Sequence, residues 1–350
     1  MATDAKHAGQ RGPLGATPNV LLVATVALPH VGWSLIEAAR ELGVAMECLD
    51  QQRAYQAPGF VRRVCWWLFQ RRPPRLRRFS REVCQRVRQG HVDCILTTGC
   101  APLDVVTVKR LRDTGSRVLN FSTDDPWNPS LSGNWFRRTL PHYSTVFTPR
   151  RANMENFKQV GCEDVRYLPF AYDPRLHFIE NALPADMASD CDVVFVGGAD
   201  EDRLPWVRAL IAAGLDVDLW GGYWQRKDEF RSHARGHTDG PAVLRQVTRT
   251  ARVVLCLVRR ANRDGHAMRT FEVPAMGGCM LVEDTEEHRE ILGADAECAV
   301  FFRSEQELVA KARWLLAHPE ERNRLSRAAH LRVTRGQNTY LDRLRTMLEV

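Results

Sequence analysis

Short, uninterrupted apolar runs, each followed by a helical stretch, recur along the chain, and this alternation limits its fold more than any other feature. The first run, Asn19–Thr25, reads NVLLVAT; Val44–Leu49, Val92–Thr98, Arg117–Ser122, Ser144–Thr148 and Val165–Pro169 repeat the pattern. It resumes at Asp192–Val196, Asp216–Trp220, Val253–Val258, Cys279–Val282 and Cys298–Phe302. A strand with no polar face must be covered on both sides, the condition of a parallel sheet between two helix layers. Helices starting at Ser34 and running over Leu76–Gln89, Leu103–Arg112 and Ala152–Val160 supply those layers in the first half. Glu201–Ala213, Pro241–Arg252 and a helix opened by the Ser304-x-x-Glu307 capping box do so in the second. The pattern predicts an α/β protein of two tandem, Rossmann-like, doubly wound domains facing across a cleft. At 350 residues the chain also exceeds what one core usually holds. The expected division is a disordered tail over 1–17, a first domain over 18–172, a linker over 173–190, a second domain over 191–330 and a closing helix within 331–350.

Several function classes are disfavoured. No G-x-G-x-x-G follows the first strand and no G-x-x-x-x-G-K-[ST] occurs, against a dinucleotide oxidoreductase or a P-loop ATPase. No apolar run approaches the roughly 18 residues of a membrane span. Ten scattered cysteines without a CxxC pair read as buried thiols, which predicts a cytoplasmic setting. His233-x-x-x-His237 has the spacing of a metal pair, but Gly236 breaks the helix and no third ligand is near, so no metal site is expected. The net charge of +7 points to anionic partners. From Arg62 to Arg88 there are ten arginines and one acid, Glu82, with Trp66, Trp67, Leu68 and Phe69 among them. This segment, 61–88, reads as a solvated basic helix, as a membrane-surface element, or, third and least favoured, as a binder of single-stranded nucleic acid.

The stretch Gly265–Glu283 combines a loop, a short helix, a Gly277-Gly278 break and a buried strand. A helix N-terminus suits a pyrophosphate, Arg269 adds a planar cation, and Glu272 one turn later can accept hydrogen bonds from ribose hydroxyls. His266 lies inside the same motif, where it could touch a sugar or a phosphate or pack under the helix. In the first half, two loops at the carboxyl ends of strands carry groups able to move a proton. One holds His30, and the other, Thr123–Pro129, holds Asp124 and Asp125. Asp-Asp-Pro is also ordinary turn chemistry.

Residues 192–341 resemble the C-terminal domain of GT-B-fold glycosyltransferases of the spore-maturation CgeB-like group. The resemblance rests on Asp192–Gly198 (DVVFVGG), Gly214–Gly221 (GLDVDLWG) and, above all, Arg269-Thr270-Phe271-Glu272 through Gly277-Gly278, with Ser304–Arg313 and Thr339–Arg343 beyond. It implies a nucleoside-diphosphate sugar (UDP-, GDP- or dTDP-linked) as donor, with no further cofactor required. Glu272 would hold the ribose, while Arg269, the Gly197-Gly198 turn and Arg203 would contact the diphosphate, with Thr270 and Phe271 completing the donor motif. Many retaining relatives carry a Glu eight positions before the ribose Glu; here Asp264 stands there, one methylene shorter, leaving retention or inversion open. The first domain would hold a hydroxyl-bearing acceptor, lipid-linked if 61–88 meets the inner face of a membrane, with Asp124, Asp125 and His30 as catalytic candidates. The closing helix would pack back across the cleft. The same fold also serves nucleotide-sugar epimerases, phosphorylases and non-catalytic nucleotide-sugar or membrane-surface binding proteins.

Overall fold

Val20–Ala24 (β1) is buried at every position, as a VLLVA run covered on both faces must be. The computed structural model of the protein describes residues 18–131, 133–180, 191–238 and 240–349; the expected tail and the second half of the expected linker lie outside them. β1 pairs in parallel with Met46–Asp50 (β2) on one side and Cys94–Thr98 (β3) on the other. Arg117–Phe121 (β4), Thr145–Thr148 (β5) and Val165–Tyr167 (β6) extend the sheet to the parallel order β2-β1-β3-β4-β5-β6.

A second parallel sheet takes Val193–Val196 (β7), Val217–Trp220 (β8), Ala234–Gly236 (β9), Val253–Cys256 (β10), Met280–Glu283 (β11) and Val300–Phe302 (β12) in the order β12-β11-β10-β7-β8-β9. Two doubly wound α/β sheets are what the alternation predicts. The one strand without a sequence signal is β9, a three-residue Ala-Arg-Gly at the sheet edge with no apolar run to mark it.

The strand order reverses between β1 and β3 in the first sheet and between β7 and β10 in the second. At such a switch point the loops leave in opposite directions and open a crevice at the carboxyl ends of the strands. After β12, helices Glu305–Ala317 and Pro319–Arg335 cover the second sheet, and the chain returns to the first. Thr339 bridges to Tyr172, and a reciprocal capping box between Thr339 and Asp342 starts helix Tyr340–Leu348. Its Tyr340, Leu344 and Met347 pack with Leu35, Ala38 and Ala39 of helix Val31–Leu42. Buried Arg343 fastens the crossing by donating to the carbonyls of Pro169 and Phe170, each within 2.9 Å. None of the described helices is long and apolar enough to cross a membrane.

Candidate active site

The two crevices meet in one cleft of about 490 Å³, within the size range of small-ligand sites. On the first-domain side, Gly32 lets helix Val31–Leu42 start hard against β1, because a Cβ there would lie 2.3 Å from the Thr25 carbonyl oxygen. His30 is thereby held at the cleft mouth, at the start of this helix. Beyond β3, Gly99 takes a left-handed φ of 59°, and a Cβ there would lie 2.7 Å from Asp124 Oδ2. The glycine is what gives the Asp124 carboxylate its place on the cleft wall. Gln51 and Gln52 add amides, both donating to Thr25 Oγ1.

The opposite wall is helix Arg269–Ala275 with Met268 before it and Leu244 beside it. Glu272 is buried and its carboxylate is shared. Oε2 receives the Arg269 guanidinium, and Oε1 lies 3.6 Å from His177 Nε2. His177 Nδ1 accepts from the Asp173 N–H at 3.0 Å, so Nε2 carries the proton and points it at Glu272. Burial, reinforced by the Arg269 charge, pulls His177 down to about 4, so the ring is neutral. Burial also lowers Arg269 to about 10, which still leaves it cationic near neutral pH. Asp124, opposite, is shifted upward: burial dominates, Arg150, Arg259 and His30 counteract it, and the Asp125 charge adds to it. A cation, a buried carboxylate and a carboxyl of raised proton affinity therefore face one another.

One expectation needs correcting. The N–H groups of Thr270, Phe271 and Glu272 are not free to bind a pyrophosphate. They donate to the carbonyls of Ala267 and Met268 in a tight turn that leads into the helix. The cationic group presented at this end is the Arg269 side chain.

The structure brings His30, Asp124, Arg269 and Glu272 to the cleft and sends the other candidates elsewhere. Asp125 turns away from Asp124 and takes a two-pronged bond from Arg263 of the second domain, at 2.8 and 3.1 Å. Asp264 is paired with Arg150 of the first domain, both side chains buried. His266 is a domain-joining residue: Nδ1 donates to Glu287 Oε2 at 2.6 Å while Nε2 accepts from the Phe170 N–H at 3.2 Å. Thr270 is buried against His288, and Phe271 against Phe170 and Tyr172. The Gly197-Gly198 turn lies outside the cleft lining. A Cβ on Gly197 would strike the Phe195 ring at 2.7 Å, and the Gly198 carbonyl accepts from Arg203, which also pairs with Asp200. Around the cleft, then, the Arg150–Asp264 and Asp125–Arg263 ion pairs and a hydrogen bond from Asn128 Nδ2 to Asn262 Oδ1 (2.7 Å) tie the two domains together.

His177 carries no signal in the sequence beyond its spacing of four from Asp173, in a segment with no periodicity. Arg150 and Arg263 look like any other arginines until the domains meet.

Residues 203–349 match the model of the glycosyl transferase-like family, a span that holds Arg269, Glu272 and the closing helix. No curated protein matches the chain. Sucrose-phosphate synthase from Thermosynechococcus elongatus is similar with a TM-score of 0.68 at 13% identity, over 95% of this chain and 98% of that one. For the UDP-forming alpha,alpha-trehalose-phosphate synthase of Burkholderia vietnamiensis the values are 0.64 and 12%, over 95% and 99%. For the Anabaena HepE protein in complex with UDP-glucose they are 0.62 and 13%, over 95% and 99%. At these identities the likeness speaks for the fold, and the family match speaks for the chemistry of the second domain. Together they show a glycosyl transferase-like match over the second domain, set in the two-sheet GT-B fold that this chain shares with these neighbours.

Proposed function

We propose that the protein transfers a glycosyl group from a nucleoside-diphosphate sugar, with uridine the favoured base, to a hydroxyl of an acceptor held by the first domain. The observation that carries this reading is the placement of Arg269 and Glu272 across one cleft from Asp124 and His30. Glu272 would accept from the ribose hydroxyls, with His177 fixing its free oxygen, and Arg269 would swing from Glu272 to the diphosphate. The uridine preference is supported by the UDP-glucose complex of the Anabaena neighbour. We also place the second domain in the CgeB-like group, on the Arg269–Glu272 motif and its Gly-Gly break. The acceptor oxygen attacks the anomeric carbon, and the bond from that carbon to the β-phosphate oxygen breaks. The nucleoside diphosphate leaves with the electron pair. The hydroxyl proton passes to Asp124 in an inverting reaction, or to the leaving phosphate in a retaining one. Among the described residues the ten cysteines form no disulfide and seven of them are buried, which supports a reducing compartment as the place of action.

Thermal denaturation against UDP, GDP and dTDP tests the donor site. A nucleotide at about 100 times its dissociation constant stabilises by about 2.7 kcal/mol. One nucleotide should raise the melting temperature of the wild type and leave Glu272→Ala unmoved. Equal shifts in both proteins, or none in the wild type with any nucleotide, would remove Glu272 from the donor site.

A further inference from the structure

Helix Gly59–Leu68 is built inside out. Phe60, Val64, Trp67 and Leu68 have the i, i+4, i+7, i+8 spacing of a core-facing stripe, yet they are 72, 42, 73 and 75% exposed, and the helix buries none of its residues. The less exposed Val61 and Cys65 flank the stripe along one edge, Val61 lying two turns before Leu68. Phe69 and Trp66 continue the exposed apolar surface around the helix end.

The protrusion is held in place. Gln70 and Arg71, neither a glycine, both take left-handed φ values of 51° and 61°, a costly turn. Gly133 accommodates it, since a Cβ there would lie 2.4 Å from the Gln70 carbonyl oxygen, and Asn134 N–H donates to Gln70 Oε1 at 3.1 Å. Arg71 stacks 5.0 Å above Trp66. A strained, braced turn that exposes tryptophan and phenylalanine points to an external partner.

We infer that this element docks on an anionic lipid bilayer. The charge argues for it: Arg62, Arg63, Arg71 and Arg72 lie beside the helix, exposed Arg75, Arg77 and Arg78 follow directly in the chain, and the one acid of the stretch, Glu82, is committed to Arg53. Arginine flanking an indole-rich apolar face is the composition of an interfacial helix, with rings at headgroup depth and guanidinium groups on lipid phosphates. A second copy of the chain is a poor occupant. A two-fold contact would set arginine against arginine, and one ten-residue helix is narrow beside the 20–30 residues a stable interface uses on each side. Nucleic acid would satisfy the arginines but leave Phe60, Val64 and Leu68 in water. A groove between this helix and Pro74, lined by Arg62, Arg63, Arg71 and Arg72, also includes Gln52, which lines the reaction cleft as well. A docked protein would thus hold the acceptor side of its cleft at the bilayer. The inference goes beyond the donor reading and does not depend on it.

Flotation with vesicles of phosphatidylcholine, with and without phosphatidylglycerol, tests it in the absence of nucleotide. The full chain should float with the anionic vesicles only, with a blue shift of tryptophan emission that Trp67→Phe reduces, and salt should release it. Each of Arg62→Gln and Arg63→Gln should weaken binding about fivefold. The double variant Trp67→Glu/Leu68→Glu should not float, while melting as the wild type does, because both side chains already face solvent. Absence of flotation by the wild type, or flotation by the double variant, would overturn the proposal. So would a dimer that the double variant dissociates, or binding of a single-stranded oligonucleotide in preference to anionic vesicles. The nucleotide-induced melting shift reports separately on the donor site.

Discussion

Replacing Arg150 by Met should loosen the two domains from each other, and the size of the effect follows from burial. The Arg150 and Asp264 side chains are 2% and 8% exposed, so their ion pair is scarcely screened by water. Removing one partner of such a pair costs about 3–5 kcal/mol, because a desolvated charge is left uncompensated. Asp264 will escape part of that cost by taking up a proton, since burial already shifts its carboxyl above the usual range. Arg150 also donates to the Thr123 carbonyl at 2.9 Å, a neutral bond worth about 1 kcal/mol. With roughly 1.4 °C lost per kcal/mol in a protein of this size, Arg150→Met should melt about 4–7 °C below the wild type. Arg150→Met/Asp264→Leu should recover most of the loss, because an apolar pair has no desolvation to offset. Differential scanning calorimetry of the four proteins of the cycle measures this directly, and the uncoupled domains of Arg150→Met should unfold in two steps. If Arg150→Met melts with the wild type and the double variant equals the sum of the singles, the domains do not meet in solution as described. Asp264→Asn separates the pair from the role its motif position suggests. We expect a lower melting temperature with an unchanged nucleotide shift, whereas lost donor affinity at unchanged stability would return Asp264 to the donor sugar.

Three further outcomes are expected. Burial lowers both His177 and His288 to about 4, against about 6.5 in the unfolded chain, so between those values the unfolded state binds protons that the native state does not. Stability present above about pH 6.5 should be lost toward pH 4, by up to about 3 kcal/mol per histidine. Urea titrations across that range should give His288→Gln a shallower slope by about one proton, and equal slopes would contradict it. Asp124→Asn should lower kcat by about 10²–10⁴-fold if Asp124 accepts the acceptor proton. Because its pKa is raised, the acid limb of the wild-type rate profile should lie above that of an ordinary carboxylate and vanish in the variant. Gly99→Ala would set a Cβ against Asp124 Oδ2 at a left-handed φ, so kcat should fall with little change in the nucleotide-induced melting shift.

Strand burial and helix punctuation are local properties, so the α/β class and both six-stranded sheets, apart from β9, were legible in the residue pattern. The Arg269–Glu272 turn was legible too, since an arginine and a glutamate three apart on a short helix share one face. Long-range placement was not. Asp124 and Asp125 are adjacent and chemically alike, yet one lines the cleft while the other is bound to Arg263, 138 residues away. His177 had no pattern at all until its turn met Glu272. The stripe Phe60-Val64-Trp67-Leu68 has the period of a core helix, and nothing local says that its apolar side faces outward. By itself, then, this sequence determined which segments form strands and helices and which helix carries a cation beside a carboxylate. Only the tertiary structure decided which of several equivalent acids reaches the cleft and which apolar face stays in water. Periodicity specifies which side chains share a face, and the partner that face meets is supplied by residues distant in the chain.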